Sequence, residues 1–478
     1  MTIPTAEQLL QMPQEQAIGL LLGVIATLQQ QLLDQSAPPK DSSNSSKPPS
    51  SDALPRTRPL RRSSGKKPGG QSGHRGFTRR QTDFPDLVQI QRPECCSGWG
   101  ATFAATLLGT VAERRQVIDL PPVQAVTIEY QSLSLTCPCC HKATVATFPP
   151  EVTAALSFGP RLQGVAVHLK EIQHLSDERL QHTLRDLLGG SISQASLVGL
   201  IADAADECGD AYEAIRTAVI TSPVIGCDET GRKVAGRGHW LWAFRTPRHT
   251  LLVSSPSRGS DVIAGVLGGL TTQAAWVSDR WKAQFQVEAG GGHQLCVPHL
   301  LRELQFCVDA KRSAWAYQVA WTLRRALALR RRIEAMAQAG QNCWSDPRWI
   351  TWREQVVTGL EGRLDAALLA PVRHKIDRKL PKTLSQPIHR RALLLFLRRG
   401  DVPADNNGAE RDLRCEKVHQ KVIGGFRSPA GARWHSLLLS VVQTARKQGK
   451  NVLDRLAELI GTPQPIHVRY MLGPAGAE

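Results

Sequence analysis

Between Thr5 and Gln35 apolar side chains recur at helical spacing, with Leu9, Leu10, Leu20, Leu21, Val24, Leu28 and Leu32 on one side. Pro13 is placed to break or start a helix there. Residues 1–36 therefore read as an amphipathic helical segment, used for self-association or packed on its own domain. The periodicity then stops. Residues 41–52 read DSSNSSKPPSSD, too polar to bury a core, and nine Lys or Arg residues meet no acid between Ala53 and Arg80. The stretch 37–82 is expected to be a disordered basic arm that lies along a polyanion, a solubilising tail being the plainer reading.

From Phe158 to about Ala218 the helical period returns. Leu175 to Ile201 divides into two helices across Gly189-Gly190, with Ser193 as an N-cap. The pair has the look of a helix-turn-helix, a pattern that plain helical bundles share. After Ser222 the period shortens to two. Pro223–Cys227 is an apolar strand running into Asp228, His239–Phe244 (HWLWAF) alternates, and Thr250–Ser254 is a third strand. Asp261–Leu270 reads as a helix and Ala274–Ser278 as a fourth strand ending on Asp279. His299 to Arg399 is mostly helical and rich in Arg, and Asn407–Lys417 opens another helix.

The order strand, strand, strand, helix, strand, late helix predicts a ribonuclease-H-like α/β catalytic core carrying a long helical insertion. The whole is a multidomain α+β chain. After the N-terminal helix and the basic arm, 83–150 forms a small zinc-finger-like module and 151–217 a helical domain of DNA-binding type. The core occupies 218–304 and 396–462, the insertion 305–395, and 463–478 is a tail.

Charge sharpens this picture. Fifty-nine Lys and Arg face forty-two Asp and Glu, a formal charge of +17 over 478 residues. Because the excess is clustered, nucleic acid is the expected partner. No run reaches the roughly twenty apolar residues of a membrane span, the longest being Ala17–Leu28, so no membrane association is expected. No Lys or Arg precedes Lys40, unlike a secretory signal, and eleven cysteines then read as reduced thiols. The expected place is the cytoplasm, at the nucleoid.

Phosphodiester chemistry needs an attacking oxygen activated and a leaving oxygen stabilised, which two metal ions held by carboxylates can do. Mg²⁺ and Mn²⁺ take hard oxygen ligands. Asp228 and Asp279 end predicted strands, where ligands gather in open sheets, and Glu410 lies near the start of a helix. An isolated Asp at a strand end is more often a turn former or cap. The local sequences set these three apart: VIGCDETG, AWVSDRW and DNNGAERDLRCEK. Arg414 and Lys417 follow Glu410 by four and seven residues, on one face of a continuous helix.

The chain resembles transposases of the bacterial insertion sequence 66 family, of the Asp-Asp-Glu transposase group. The resemblance rests on NSSKPPSSD (44–52), KPGGQSGHRG (67–76), RQVIDLP (115–121), DETG (228–231), HWLWAF, VSDRW, CVPHLLREL (296–304), DNNGAERDLR (405–414) and KVIGGFRSPAGAR (421–433). It implies that Asp228, Asp279 and Glu410 are a catalytic triad binding Mg²⁺ or Mn²⁺. It implies cleavage at the ends of an insertion sequence and strand transfer into target DNA. Lys417, at the acid-to-lysine spacing of the wider group, would contact the element's end, and Arg411 and Arg414 would also bind DNA. Asn406 stands where that group often has Arg. Partners implied are double-stranded DNA, further copies of the chain on it, and accessory proteins of the same element. The competing reading is a catalytically inactive, transposase-derived DNA-binding protein.

Cys137-x-x-Cys140 is a zinc-type half site. In the resembling family the earlier half is also Cys-x-x-Cys, whereas ECCSGWG supplies Cys96 and puts Trp99 where the second thiolate belongs. Zn²⁺ then rests on Cys96, Cys137 and Cys140, with Cys95, Cys139 or His141 as a substitute fourth ligand, or the fold keeps its cysteines as small hydrophobes. Cys296-x-x-His299 reads as packing. His299-x-x-Arg302 matches a tyrosine-recombinase pair, but only Tyr317 and Tyr470 follow, in unpromising settings. No phosphate loop of ATP-driven motors is present.

Overall fold

A computed structural model describes residues 12–35, 79–120, 125–152, 154–189, 191–311, 313–371 and 379–461, with Gly73, His74, Gly76 and Val123. Most of the 37–82 arm and the whole 463–478 tail lie outside the described residues. The chain divides into two units, 57–124 and 1–56 with 125–478, and the division falls inside the 83–150 stretch.

In the smaller unit side chains stitch extended backbone together. Gln116 Nε2 donates to Thr82 O at 2.7 Å, and Arg92 Nη2 to Leu107 O at 2.7 Å.

The larger unit opens with α1 (Gln14–Gln35). Pro13 starts this helix, its carbonyl accepting the first amides from Gln16 and Ala17. None of the helix's described side chains is buried. A hairpin, β1 (Ser134–Thr136) and β2 (Ala143–Val145), follows. Then come α2 (Pro160–Val167), a π-turn (His168–Ile172), α3 (Asp177–Leu188), α4 (Gln194–Glu207) and α5 (Gly209–Ile220). The predicted break between α3 and α4 is present: Gly189 ends α3 at φ 71°, and the Ser193 side chain accepts from Ser196 N.

The sheet is built from β3 (Val224–Val234), β4 (Arg237–Arg245), β5 (Thr250–Ser255), β6 (Ala275–Ser278) and β7 (His293–Leu295), with α6 (Ser260–Leu267) between β5 and β6. Its order is β5-β4-β3-β6-β7. The first three strands form an antiparallel meander, and β6 and β7 run parallel to β3. Two differences from the sequence reading matter. The fifth strand was not foreseen, because three residues of HQL carry too little periodicity. Asp228 lies within β3 rather than at its end: residues 229–234 go on pairing with β4 up to a tight turn at Ala235 (φ 48°) and Gly236 (φ 74°).

Both faces of the sheet are buried, as parallel strands require. Trp276 packs with the N-terminal helices, while its neighbours Ala275 and Val277 pack with the helical insertion. That insertion runs through α7 (Val297–Lys311), α8 (Ala314–Gln338), α9 (Pro347–Leu369), α10 (Lys379–Leu384) and α11 (Pro387–Arg391). The chain returns as α12 (Asn407–Asp412), α13 (Arg414–Val422), α14 (Pro429–Lys447) and α15 (Val452–Ile460). The single helix expected over 407–417 is thus two, broken at Leu413. Among the described residues no helix is long and apolar enough to cross a membrane.

Candidate functional site

The sheet register places the first two carboxylates. Gly226 of β3 stands opposite Val277 of the parallel strand β6. Two residues further on, Asp228 comes level with Asp279, the residue that follows β6. Asp228 Oδ1 accepts the Glu229 amide at 2.9 Å, and Asp279 Oδ1 accepts the Trp281 amide at 2.8 Å. Both carboxylates are thereby held by the backbone beside them.

Glu410 arrives on α12, and buried Asn406 fixes where that helix starts. Its Nδ2 donates to Cys227 O at 2.7 Å, and its own amide to Cys296 Sγ at 3.2 Å. One residue so joins the strand before Asp228 to the end of β7. Two glycines let the helix lie this close. A Cβ on Gly226 would stand 3.1 Å from Asn406 Oδ1, and one on Gly408 would stand 1.8 Å from Arg245 Nη1. Behind the helix, Asp412 Oδ2 accepts from Lys447 Nζ at 2.6 Å and Thr250 Oγ1 at 2.9 Å, and Arg245 Nε lies 3.4 Å away as an ion pair.

The electrostatics confirm that these carboxylates share one neighbourhood. Burial, then the charges of Asp279, Glu229 and Glu410, push the Asp228 carboxyl well above its ordinary range, against the Glu229 amide. Glu229 is raised by burial and Asp279, but Arg258 opposes this, donating to Glu229 Oε1 from Nε at 3.0 Å and Nη2 at 2.8 Å. Glu229 Oε2 takes Gln284 Nε2 at 3.1 Å. Glu410 Oε1 lies 3.2 Å from His299 Nε2. Burial lowers His299, with Glu410 pulling the other way. Lys417 is lowered by burial, while the charges of Glu416 and Asp228 oppose this.

The sequence profile of the Transposase IS66 family matches residues 155–434, more than half of the chain and the whole of this site. The chain belongs to this family. It is a family of DNA-processing enzymes. No curated protein matches the chain.

In this transposase-family chain Asp228 and Asp279 stand level on neighbouring strands, the charges of Glu410 and Lys417 act on or feel Asp228, and Arg411 and Arg414 are exposed. The break at Leu413 means that Glu410 and Lys417 do not share one continuous helix: the first lies on α12 and the second on α13. Sequence reasoning passed over three contributors. Glu229 was signalled only by following Asp228 in DETG. Asn406 was noticed as a departure, not as a tether. His299 was set aside with Cys296 as packing, yet donor atoms of Cys296, His299 and Glu410 all lie within 4.8 Å of one another. Burial pushes the Cys296 thiol up to about 12, and it accepts amides from Asn406 and His299, so Cys296 itself packs and caps.

The cysteine segments fall in different units, and each is a turn of the same design. Gly100 N donates to Cys96 O at 2.8 Å and Cys96 N to Ala101 O at 2.9 Å. In the other unit His141 N donates to Cys137 O at 2.9 Å and Cys137 N to Lys142 O at 3.0 Å. The Cys140 and Cys139 amides draw the Cys137 thiol below its ordinary value, as in a turn shaped for a thiolate. Trp99 occupies the turn position that Cys140 holds in the second turn, and it is 90% exposed.

Proposed function

We propose that this family member is an active, metal-dependent DNA transposase, with Asp228, Asp279 and Glu410 as its catalytic carboxylates. The observation that carries the reading is the meeting of Asp228 with Asp279 across β3 and β6, with Glu410 in the same electrostatic neighbourhood. The strand order, an antiparallel meander joined to two parallel strands, supports a ribonuclease-H-like core. The donor set fits a hard divalent cation. Arg258 neutralises Glu229, while burial and the charges of Asp279, Glu229 and Glu410 together lift the Asp228 carboxyl, a load of negative charge that a divalent cation would offset. Mg²⁺ or Mn²⁺ held by the three carboxylates would activate an attacking oxygen and stabilise a leaving one.

The protein's own share is to position and to neutralise. His299 orients Glu410 from α7, and Asn406 fixes the height of α12 above β3. Lys417 supplies positive charge beside Asp228, where the scissile phosphate of the element end would lie, and Arg411 and Arg414 hold the flanking strand. Water attack at the end frees a 3′-hydroxyl, which then attacks target DNA. The retained carboxylates argue against an inactive DNA-binding remnant. Assembly on DNA as further copies and accessory proteins of the same element belong to the same reading. Purified protein and end-labelled element DNA test it. Cleavage that needs Mg²⁺ and stops with chelator is expected, and metal-independent cleavage or none would refute it.

A further inference from the structure

The helical insertion carries a face that neither the carboxylate site nor the fold uses. Along α8, Tyr317, Trp321, Arg324, Arg325 and Arg331 recur at helical spacing on the exposed side, while Trp315, Val319, Leu323, Ala326 and Ile333 are buried on the other. Tyr317 and Trp321 are 57% and 38% exposed. Arg325 lies over the Trp321 ring at 5.0 Å, and Arg363 reaches the same ring from α9 at 5.5 Å. Among the described residues none of Arg324, Arg325, Arg331 and Arg363 meets a carboxylate. This contrasts with Arg330 and Arg398 nearby, which are tied to Glu334 and to Glu354 and Glu361. Guanidiniums with no facing carboxylate repel one another and leave positive charge free for an anionic partner.

The stripe also points somewhere. Arg330, on the flank of α8, donates to the carbonyls of Phe396, Arg399 and Gly400, in the segment that leads to α12 and Glu410. α8 runs beside α7, whose first turn holds His299, and Arg324 Nη2 donates to Gln305 Oε1 of α7 at 3.0 Å. From Tyr317 to Arg331 the face extends roughly 20 Å at 1.5 Å per residue, the span of several phosphates.

We propose that this face of the insertion is a DNA track: its four arginines bind backbone phosphates, and Tyr317 and Trp321 stack on an unpaired base at a frayed or single-stranded end. Charge complementarity selects a polyanion, and the interleaved rings select one that offers bases. The choice of DNA rests on the transposase reading. Binding is measured without cleavage, so a chain that binds here and cuts nothing would leave this inference standing while that reading failed.

Full-length protein is titrated against a labelled DNA duplex of about thirty base pairs, and against the same duplex with a single-stranded 3′ tail, over a range of NaCl concentrations. Changing Arg324, Arg325, Arg331 and Arg363 together to Gln is expected to lower the log–log salt slope by about 3.6, at about 0.9 per lost phosphate contact. Lysines at the same positions should keep most of the slope. Trp321→Leu with Tyr317→Leu should leave the duplex alone and erase a preference for the tailed DNA of about ten-fold. If the quadruple variant unfolds, Arg325→Gln and Arg363→Gln singly read the same slope in smaller steps. An unchanged slope overturns the track, and a retained tail preference overturns the stacking. A change in sedimentation with DNA binding untouched would make the face a contact between copies, and also overturns the proposal.

Discussion

Arg258 lies between the rings of Trp240 and Trp281, 4.4 Å and 3.8 Å from their centres, with its guanidinium on Glu229. Trp281 returns Nε1 to the Arg258 carbonyl at 3.1 Å, and its amide holds Asp279. A chain of contacts thus runs from Glu229 to the Asp279 carboxylate. Arg258→Met should leave a carboxylate with a side chain 1% exposed short of its partner, lowering stability by about 1–3 kcal/mol. Glu229→Gln in the same background should recover most of that loss, as read by thermal unfolding. Glu229→Gln alone, if Glu229 only positions, should weaken cleavage without abolishing it. At this scale residue type and local sequence marked Asp228, Asp279 and Glu410 as candidates, and the strand register sets the first two level. The sequence was silent for Glu229, Arg258 and Gln284, because their roles arise from contacts across 29 and 55 residues.

Elements are held over the site by two devices. Asn406 and Gly408 set α12 on β3. Asn406→Ala strands the buried Cys227 carbonyl, with an expected cost of about 1–3 kcal/mol and a larger fall in cleavage than in DNA binding. Gly408→Ala meets the Arg245 guanidinium, and should impair cleavage in a protein that still unfolds cooperatively. The second device is a buried ionic cluster joining the π-turn, β3, α13 and α14. His435 Nδ1 meets Glu171, His435 Nε2 lies 3.5 Å from Glu416, and Arg232 Nη1 lies 3.3 Å from Glu416. Burial alone would lower His435, but its bonds to Glu171 and Glu416 carry it up to about 9. Burial alone would raise Glu416, but His435 and Arg232 bring it down to about 2. Beside them His419 is lowered to about 4 by burial and His435.

The signs follow. The raised His435 stabilises fully below its unfolded value of about 6.5, and that share is lost as pH climbs toward about 9. The depressed Glu416 stabilises above about 4.5, and its share is lost as pH falls toward about 2. The depressed His419 adds a share that is lost as pH falls from about 6.5 toward about 4, so the melting temperature should peak near pH 6.5 and decline on both sides, and His435→Gln should flatten the alkaline decline. A profile still rising from pH 7 to 9 in the native protein would contradict the cluster's role. Helices were legible here from caps such as Ser193 and from Pro13. The break at Leu413 was not, since nothing in DLRCEK departs from helical propensity.

Across the whole molecule, the alternation of the strands and the late return to Asn407 disclosed a core with an insertion, and hence a plan for the site. The edge strand β7 was too short to declare itself, and its place is set by Trp276 pairing with His293. The division at 124 and 125 lies within a cysteine-bearing stretch that reads as one module, because cysteine spacing reports ligands and not contacts. The basic arm belongs to this scale as well. Deleting 53–80 should weaken binding to all DNA sequences alike and lower the salt slope, each lost phosphate contact removing about 0.9. An unchanged slope would mean the arm does not touch DNA.

On the proposed reading three carboxylates do the chemistry and not the folding. The most direct measurement compares end cleavage in Mg²⁺ by the native protein with that by Asp228→Ala, Asp279→Ala and Glu410→Ala, alongside binding to the same labelled element end. Loss of cleavage in all three with binding nearly intact is the predicted result. Cleavage at the native rate by any one of them would remove that residue from the site and contradict the account.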